Sequence, residues 1–174
     1  MNKDILLGIL HFILIAAFQV FILNGMPLIG YTNPLVYVWF IIMLPTNTPK
    51  WAVLLLSFSM GFIVDIFSGY IGLHCAVLTF IGFIRPILIN VFFSGKEIES
   101  NLRPSIAEMG LSNFLPYLAI LVFIHHFLYF TFEIFTFHEI LLTLLRIVVS
   151  SASTISIILV LDFLLFRQEK YGEA

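Results

Sequence analysis

Long runs of apolar residues, separated by short groups of polar and turn-forming residues, extend along almost the whole chain. A helix that crosses the hydrocarbon core of a bilayer needs about 20 consecutive, mostly apolar residues. The pattern predicts six such helices and an all-α fold in which residues 1–174 form a single transmembrane domain. The approximate predicted spans are 5–23, 28–45, 51–67, 71–93, 110–131 and 139–165.

The first two predicted spans need separate arguments. The run from Ile5 to Leu23 is longer than the roughly 7–15 apolar residues of a signal peptide, and no small-x-small cleavage site follows it, so we expect a retained span. The strongly apolar part of the second segment, Leu35 to Leu44, is short and lies between two prolines. It is therefore either a thin or tilted span or a re-entrant segment.

The positions of the basic residues predict the orientation, because cytoplasmic loops are enriched in Lys and Arg. With six spans, the loops on one side of the membrane contain no Lys or Arg. The other side receives Lys3, Lys50, Lys96, Arg103, Arg167 and Lys170. We therefore expect both termini and the loop 94–109 to lie in the cytoplasm. With five spans, Lys3 alone would lie outside.

The loop 94–109 carries charges of both signs, which is typical of an ordinary solvated loop rather than a basic patch that binds lipid. Within it, Ser105 and Glu108 have the spacing of a capping box, which predicts that a helix begins there.

The composition narrows the functions that are possible. Of the residues, 61% are hydrophobic and 10% are charged, whereas soluble domains carry about 25% charged residues. Eight basic residues and a net charge of -2 exclude a surface for the phosphates of nucleic acid. A single cysteine, Cys75, excludes an intrachain disulfide. The chain lacks the common hydrolase, metalloprotease and phosphate-loop motifs, so we expect no enzyme activity and no cofactor.

Small residues line one face of the third and fourth predicted spans. Ser57, Gly61 and Asp65 recur at every fourth position of the third span. The fourth span carries a similar row, made of Gly72, Cys75, Ala76, Thr79, Gly82 and Pro86. Because only residues 68–70 join the two spans, we expect a tight antiparallel hairpin. The spacing favours packing within the bundle, and a surface for a partner helix or ligand is the alternative.

Four ionisable residues fall inside predicted spans: Asp65, Arg85, Arg146 and Asp162. A charge at the bilayer centre costs about 2.5–3.5 kcal/mol on insertion scales, so each needs a partner or water. Their depths along the spans predict two ion pairs, Asp65 with Arg146 and Arg85 with Asp162. Snorkelling of Arg85 and Asp162 to the cytoplasmic surface is the alternative for the second pair.

Polar residues also occur in the last two spans. His125 and His126 are adjacent and point in different directions, unlike the i, i+4 pair that shares one metal ion, so we expect no metal site. Hydroxyl-bearing residues occupy most of positions 150–154. They favour close helix packing, with hydroxyl groups bonded back to helix carbonyls, over a polar groove for a ligand.

The hairpin sequence Gly61-Phe-Ile-Val-Asp65-Ile-Phe-Ser-Gly69-Tyr-Ile-Gly72-Leu-His74 resembles the MreD family of rod shape-determining proteins. The match to the family motif is carried by Gly61, Asp65, Gly72 and His74. Gly69 and Ala76 belong to the same partner-binding or structural motif, and the segment 34–45, Trp51 and the Arg85-Pro86 pair are also similar to one branch of the family.

The resemblance implies a bundle similar to the vitamin-binding S-components of energy-coupling factor transporters. It also implies a noncatalytic scaffold of wall elongation and cell shape in the bacterial cytoplasmic membrane. The implied partners are the single-span protein MreC, the wall-elongation glycosyltransferase and transpeptidase, indirectly the actin-like protein MreB, and the membrane lipid. A substrate-binding subunit of a vitamin-type transporter is the alternative function, although the predicted outer loops hold few polar groups for a ligand.

Overall fold

The computed structural model describes residues 3–24, 32–93, 95, 98, 101–134 and 140–166. The helices are α1 (Lys3–Ala17, continued by a π-helical turn over Phe18–Leu23), α2 (Val38–Ile42), α3 (Lys50–Ser68), α4 (Leu73–Phe92), α5 (Ile106–Met109), α6 (Leu111–Ile134) and α7 (Ile140–Phe166). Among the described residues, five helices, all but α2 and α5, are long and apolar enough to cross a membrane. The chain is an all-helical membrane protein, and five of the predicted spans are present as long apolar helices.

The second predicted span, 28–45, is not a continuous helix. Only Val38–Ile42 is helical, with extended residues and turns on either side, and residues 28–31 lie outside the described part of the chain. Pro34 and Pro45 account for the short length, because proline lacks the N–H that a helix interior requires and restricts the residue before it. The expectation of a full helix here was wrong.

Residues 32–46, which we call the central segment, run through the interior of the bundle. Its completely buried side chains are those of Leu35, Val36, Tyr37, Val38, Ile41 and Ile42. Near the other end of the segment, the Thr46 N–H donates to the carbonyl of Leu102 at 2.9 Å. Because long helices surround the central segment, its backbone is kept away from lipid.

The contacts between helix ends define two ends of the bundle. Asn24, after α1, donates to Ser68 at the end of α3 at 2.8 Å, so these two helices run in the same direction. Asp162, late in α7, accepts from the first N–H of α5. We call the end with Lys50 and the loop before α5 the basic end, and the end with the α3–α4 turn the turn end.

The predicted α3–α4 hairpin is confirmed. Gly69 and Gly72 in its turn have φ values of 73° and 84°, a left-handed conformation that glycine adopts without strain. Within the helices, a Cβ placed on Gly61 would lie 2.5 Å from the Cα of Cys75. The absence of a side chain at Gly61 therefore allows the α3 and α4 backbones to approach closely at this point.

The helix start predicted at Ser105 is also confirmed. The Ser105 hydroxyl accepts from the N–H of Glu108 at 3.3 Å, at the start of α5. The helix ends after one turn, at Gly110, whose φ of 70° separates α5 from α6. The capping residue thus begins a short separate helix and not the membrane-spanning helix itself.

Candidate functional site

Asp65 caps the N-terminus of α4 from the neighbouring helix. Its carboxylate accepts the backbone N–H of His74 at 3.0 Å and that of Cys75 at 2.9 Å. The same carboxylate lies 3.1 Å from Nδ1 of the His74 ring. The first N–H groups of a helix lack partners within the helix and lie at the positive end of its dipole, so a carboxylate is a stabilising partner.

The predicted ion pair between Asp65 and Arg146 was therefore wrong. Among the described residues, the bonds of the Asp65 carboxylate all go to α4, namely to the N–H groups of His74 and Cys75 and to the His74 ring. The prediction used formal charges and depth alone. It took no account of the partial positive charge that the start of α4 places beside Asp65 within the same hairpin.

Aromatic side chains surround His74 near the turn end. The ring centroids of Tyr37, Tyr70 and Tyr129 lie 5.6, 5.5 and 4.9 Å from that of His74. The hydroxyl groups of Tyr70 and Tyr129 both donate to one oxygen of Glu133, at 2.6 and 3.2 Å. The hydrogen bond to Glu133 is the largest of the effects that raise the pKa of Tyr70 above its usual value. These groups thus bind one another and hold the hairpin turn against α6.

Gln19 pairs with the backbone of the central segment. Its Oε1 accepts the N–H groups of Val36 at 2.7 Å and Tyr37 at 3.3 Å, and its Nε2 donates to the carbonyl of Pro34 at 3.2 Å. Irregular backbone at membrane depth is tolerated only where protein or water satisfies its polar groups. Sequence reasoning missed this residue, although an amide side chain inside an apolar run was a signal.

Two hydroxyl groups of α7 pair with the same segment. Ser150 Oγ accepts the N–H of Asn33 at 3.0 Å, and Thr154 Oγ1 accepts the N–H of Leu35 at 3.1 Å. Thr154 Oγ1 also lies 3.1 Å from His126 Nε2. Hydroxyl groups bonded back to helix carbonyls were predicted here, and Ser153 shows that pattern. Ser150 and Thr154 instead hold the central segment.

The two adjacent histidines are completely buried and serve different neighbours. His126 Nδ1 lies 2.9 Å from the carbonyl of Val122, which can only accept, so Nδ1 carries a proton, and His126 Nε2 forms a hydrogen bond with the hydroxyl of Thr154. His125 Nε2 lies 2.9 Å from the hydroxyl of Tyr37. Within the described ranges, no group of three or more His, Cys, Asp or Glu is arranged to hold a metal ion.

Arg85 binds the end of α2 near the basic end. Its guanidinium group donates to the carbonyls of Ile42, Leu44 and Pro45. A cation is favourable at a helix C-terminus, where the last carbonyls lack partners. The hydroxyl of Tyr117 adds a bond to the Ile42 carbonyl at 3.2 Å. Arg85 is 1% exposed, so it does not snorkel to the membrane surface.

Asp162 does not pair with Arg85 either, so the second predicted ion pair was also wrong. Its Oδ2 accepts the N–H of Ile106 at 3.0 Å and so caps α5, while Oδ1 has no partner among the described atoms. Asp162 is 1% exposed, and snorkelling is wrong for this residue as well. Both predicted ion pairs were wrong for the same reason. Backbone groups at a helix end lack partners within the helix, so they compete with a more distant charge for the ionised side chain.

The residues of the hairpin motif divide into two groups. Gly61, Asp65 and His74 are buried and serve the contact between α3 and α4. Gly72 and Ala76 are exposed, and this surface remains available to a partner helix. A Cβ on Gly72 would meet no heavy atom within 4 Å. Gly61 thus contributes to the fold, whereas the exposed face at Gly72 and Ala76 remains a candidate contact surface.

A second candidate contact surface is a groove between α6 and α7. It has a volume of about 450 Å³ and is lined by Ala119, Ile120, Phe123, Ile124, Val148, Ser151, Ala152 and Ile155. Small residues occur on both helices of this α6–α7 groove. The hydroxyl of Ser151 is buried and has no partner among the described atoms. The serine-rich stretch at 150–154 was the signal in the sequence.

Comparisons with known protein families, with curated proteins and with solved structures give no match. The geometry itself defines the class. The molecule is an all-helical membrane protein whose buried polar residues bind an irregular central segment and cap the helices that surround it.

Proposed function

We propose that the chain is a noncatalytic scaffold of bacterial wall elongation that binds the single-span protein MreC and so helps to determine cell shape. The proposal rests on the resemblance of the hairpin motif to the MreD family. MreB, the glycosyltransferase and the transpeptidase are then partners in the same assembly, in the cytoplasmic membrane.

One observation supports a scaffold over a transport subunit. Ionisable residues inside a membrane usually mark a path for a substrate or ion. Here Asp65, Arg85 and Asp162 are each bonded to the backbone of a neighbouring element. These three ionisable groups contribute to holding the fold together, which favours a function that depends on contact through the outer surface.

We infer that the chain crosses the membrane six times, with the central segment as the second crossing and both termini in the cytoplasm. Thr48 lies before α3 and Arg103 lies before α5, and both residues line the same cavity. This supports the inferred topology, because the two loops then lie at the same end of the bundle. The basic residues of these loops then face the cytoplasm.

Two surfaces allow the helix of MreC to approach closely, and we favour the α6–α7 groove over the exposed face at Gly72 and Ala76. The groove is concave, and the buried hydroxyl of Ser151 in its lining has no partner among the described residues. Small residues permit close approach of helices, and a polar group inside a membrane gains from a partner.

The test compares the same substitution on the two surfaces, Ala152→Leu in the groove and Ala76→Leu on the hairpin. Both alanines are exposed, so neither change displaces a buried group. Each variant must first reach the membrane at normal abundance. We expect Ala152→Leu to reduce co-purification of MreC severalfold and to impair wall growth, while Ala76→Leu leaves both unchanged.

Two other results would change the interpretation. A loss caused by Ala76→Leu alone would move the contact to the hairpin and keep the function. If deletion of the protein leaves wall growth intact while uptake of a small nutrient fails, the scaffold proposal is wrong and the vitamin-type transport subunit stands.

A further inference from the structure

A partly open cavity of about 260 Å³ lies at the basic end, between α1 and the central segment. One face of α1 contributes Gly8, His11 and Ile15, and Trp39 belongs to the opposite wall. Arg103, from the loop before α5, completes the lining. The fold therefore brings a cation from the loop before α5 to an apolar cavity beside α1.

Two hydrogen-bond donors of this lining have no acceptor among the described residues. The indole N–H of Trp39, which is 3% exposed, is unpaired, and half-buried Arg103 makes no hydrogen bond or ion pair there. Each of the other two polar side chains of the lining makes one hydrogen bond within the chain. Thr48 donates to the Pro45 carbonyl at 2.7 Å, and His11 Nδ1 lies 3.0 Å from a carbonyl one turn earlier in α1.

We propose that this cavity binds an anionic phospholipid, with its phosphate at Arg103 and the start of an acyl chain against the apolar wall. Both groups are donors only, so a ligand that pairs with them supplies acceptors. A guanidinium group favours phosphate, with which it forms paired, charge-assisted hydrogen bonds. The remaining lining includes Phe40, Met43 and Leu44, which suit hydrocarbon.

The size and position of the cavity agree with a lipid. Pockets that enclose a whole drug-sized ligand measure about 300–1,000 Å³, so a cavity of about 260 Å³ holds only part of a larger molecule. The α1 residues of the lining belong to a helix that is long and apolar enough to cross the membrane. The rest of the lipid then extends into the bilayer beside α1.

The first experiment measures the thermal unfolding of the purified full chain in neutral detergent while phosphatidylglycerol or phosphatidylcholine is added. A ligand that binds the folded state raises the unfolding temperature as its concentration increases. We expect phosphatidylglycerol to stabilise the protein more than phosphatidylcholine. The Arg103→Gln substitution removes one charged hydrogen-bond donor and should weaken the apparent affinity for phosphatidylglycerol roughly ten-fold. Lys50→Gln removes an exposed cation outside the lining and should leave the affinity unchanged.

The second experiment locates the lipid directly, since Trp39 and Trp51 are the two tryptophans of the chain. In a Trp51→Phe background, phosphatidylglycerol with brominated acyl chains should quench the fluorescence of Trp39, and Arg103→Gln should reduce the quenching. Equal quenching by brominated phosphatidylcholine would overturn the proposal. Equal losses of affinity in the Lys50 and Arg103 variants would also overturn it, because they would indicate unspecific attraction of anions.

Discussion

Replacing Gly61 by alanine tests the packing of the α3–α4 hairpin with a single methyl group. The added Cβ would lie 2.5 Å from the Cα of Cys75 and 2.7 Å from the carbonyl oxygen of His74. Both are backbone atoms that cannot turn aside as a flexible side chain can. The start of α4 must therefore move away from α3, and this start is where the Asp65 carboxylate binds two N–H groups.

The magnitude follows from three terms. Overpacking of a tight contact costs about 1–3 kcal/mol. Lengthening a hydrogen bond to a charged group removes up to about 1.5–3 kcal/mol. The better helix propensity of alanine offsets about 1 kcal/mol of this loss. We expect a net destabilisation of about 2–4 kcal/mol, which corresponds to a decrease of about 5–15 °C in unfolding temperature for a chain of this size.

The assay is thermal unfolding of the purified variants in one detergent, with Gly8→Ala as the matched control. Gly8 also lies in a long helix, but a Cβ there would meet no heavy atom within 4 Å. Its unfolding temperature should equal or slightly exceed that of the wild type. If Gly61→Ala unfolds at the same temperature as Gly8→Ala, the close contact of the two backbones is refuted.

Three further predictions concern the central segment, the buried charges and the topology. Ser150→Ala should lower the free energy of unfolding by about 1–3 kcal/mol, because the partly buried N–H of Asn33 loses its acceptor, whereas Ser156→Ala removes only a bond within its own helix and should cost less. In a double-mutant cycle, Asp65→Asn and Arg146→Gln should have additive effects on the free energy of unfolding. A coupling energy above about 0.5 kcal/mol would contradict the assignment of Asp65 to α4. Single cysteines placed at Asn2, Ser100 and Glu173 in a Cys75→Ala background should each resist an impermeant thiol reagent in intact cells. Labelling at Asn2 alone would indicate five crossings.

Apolar length and small-residue spacing were sufficient to predict five long helices and the hairpin from the sequence. The thickness of the bilayer sets the length of a spanning helix, so the runs that became α1, α3, α4, α6 and α7 could be recognised without knowledge of their neighbours. The spacing of Gly61 from Asp65 placed both on the face that contacts α4, because helix periodicity is a local property. The start of α5 at Ser105 was predictable for the same reason.

The partners of the buried polar residues were decided by the tertiary structure. The sequence indicates how deep Asp65, Arg85 and Asp162 lie, and depth alone suggested charged partners. The actual partners of Arg85 and Asp162 are backbone groups at the ends of short helices, which become available only once the central segment and the loop before α6 have folded. Gln19 likewise has a role only because an irregular segment lies beside it. Backbone groups are identical at every position of a sequence, so which of them lack a partner depends on the arrangement of the whole bundle.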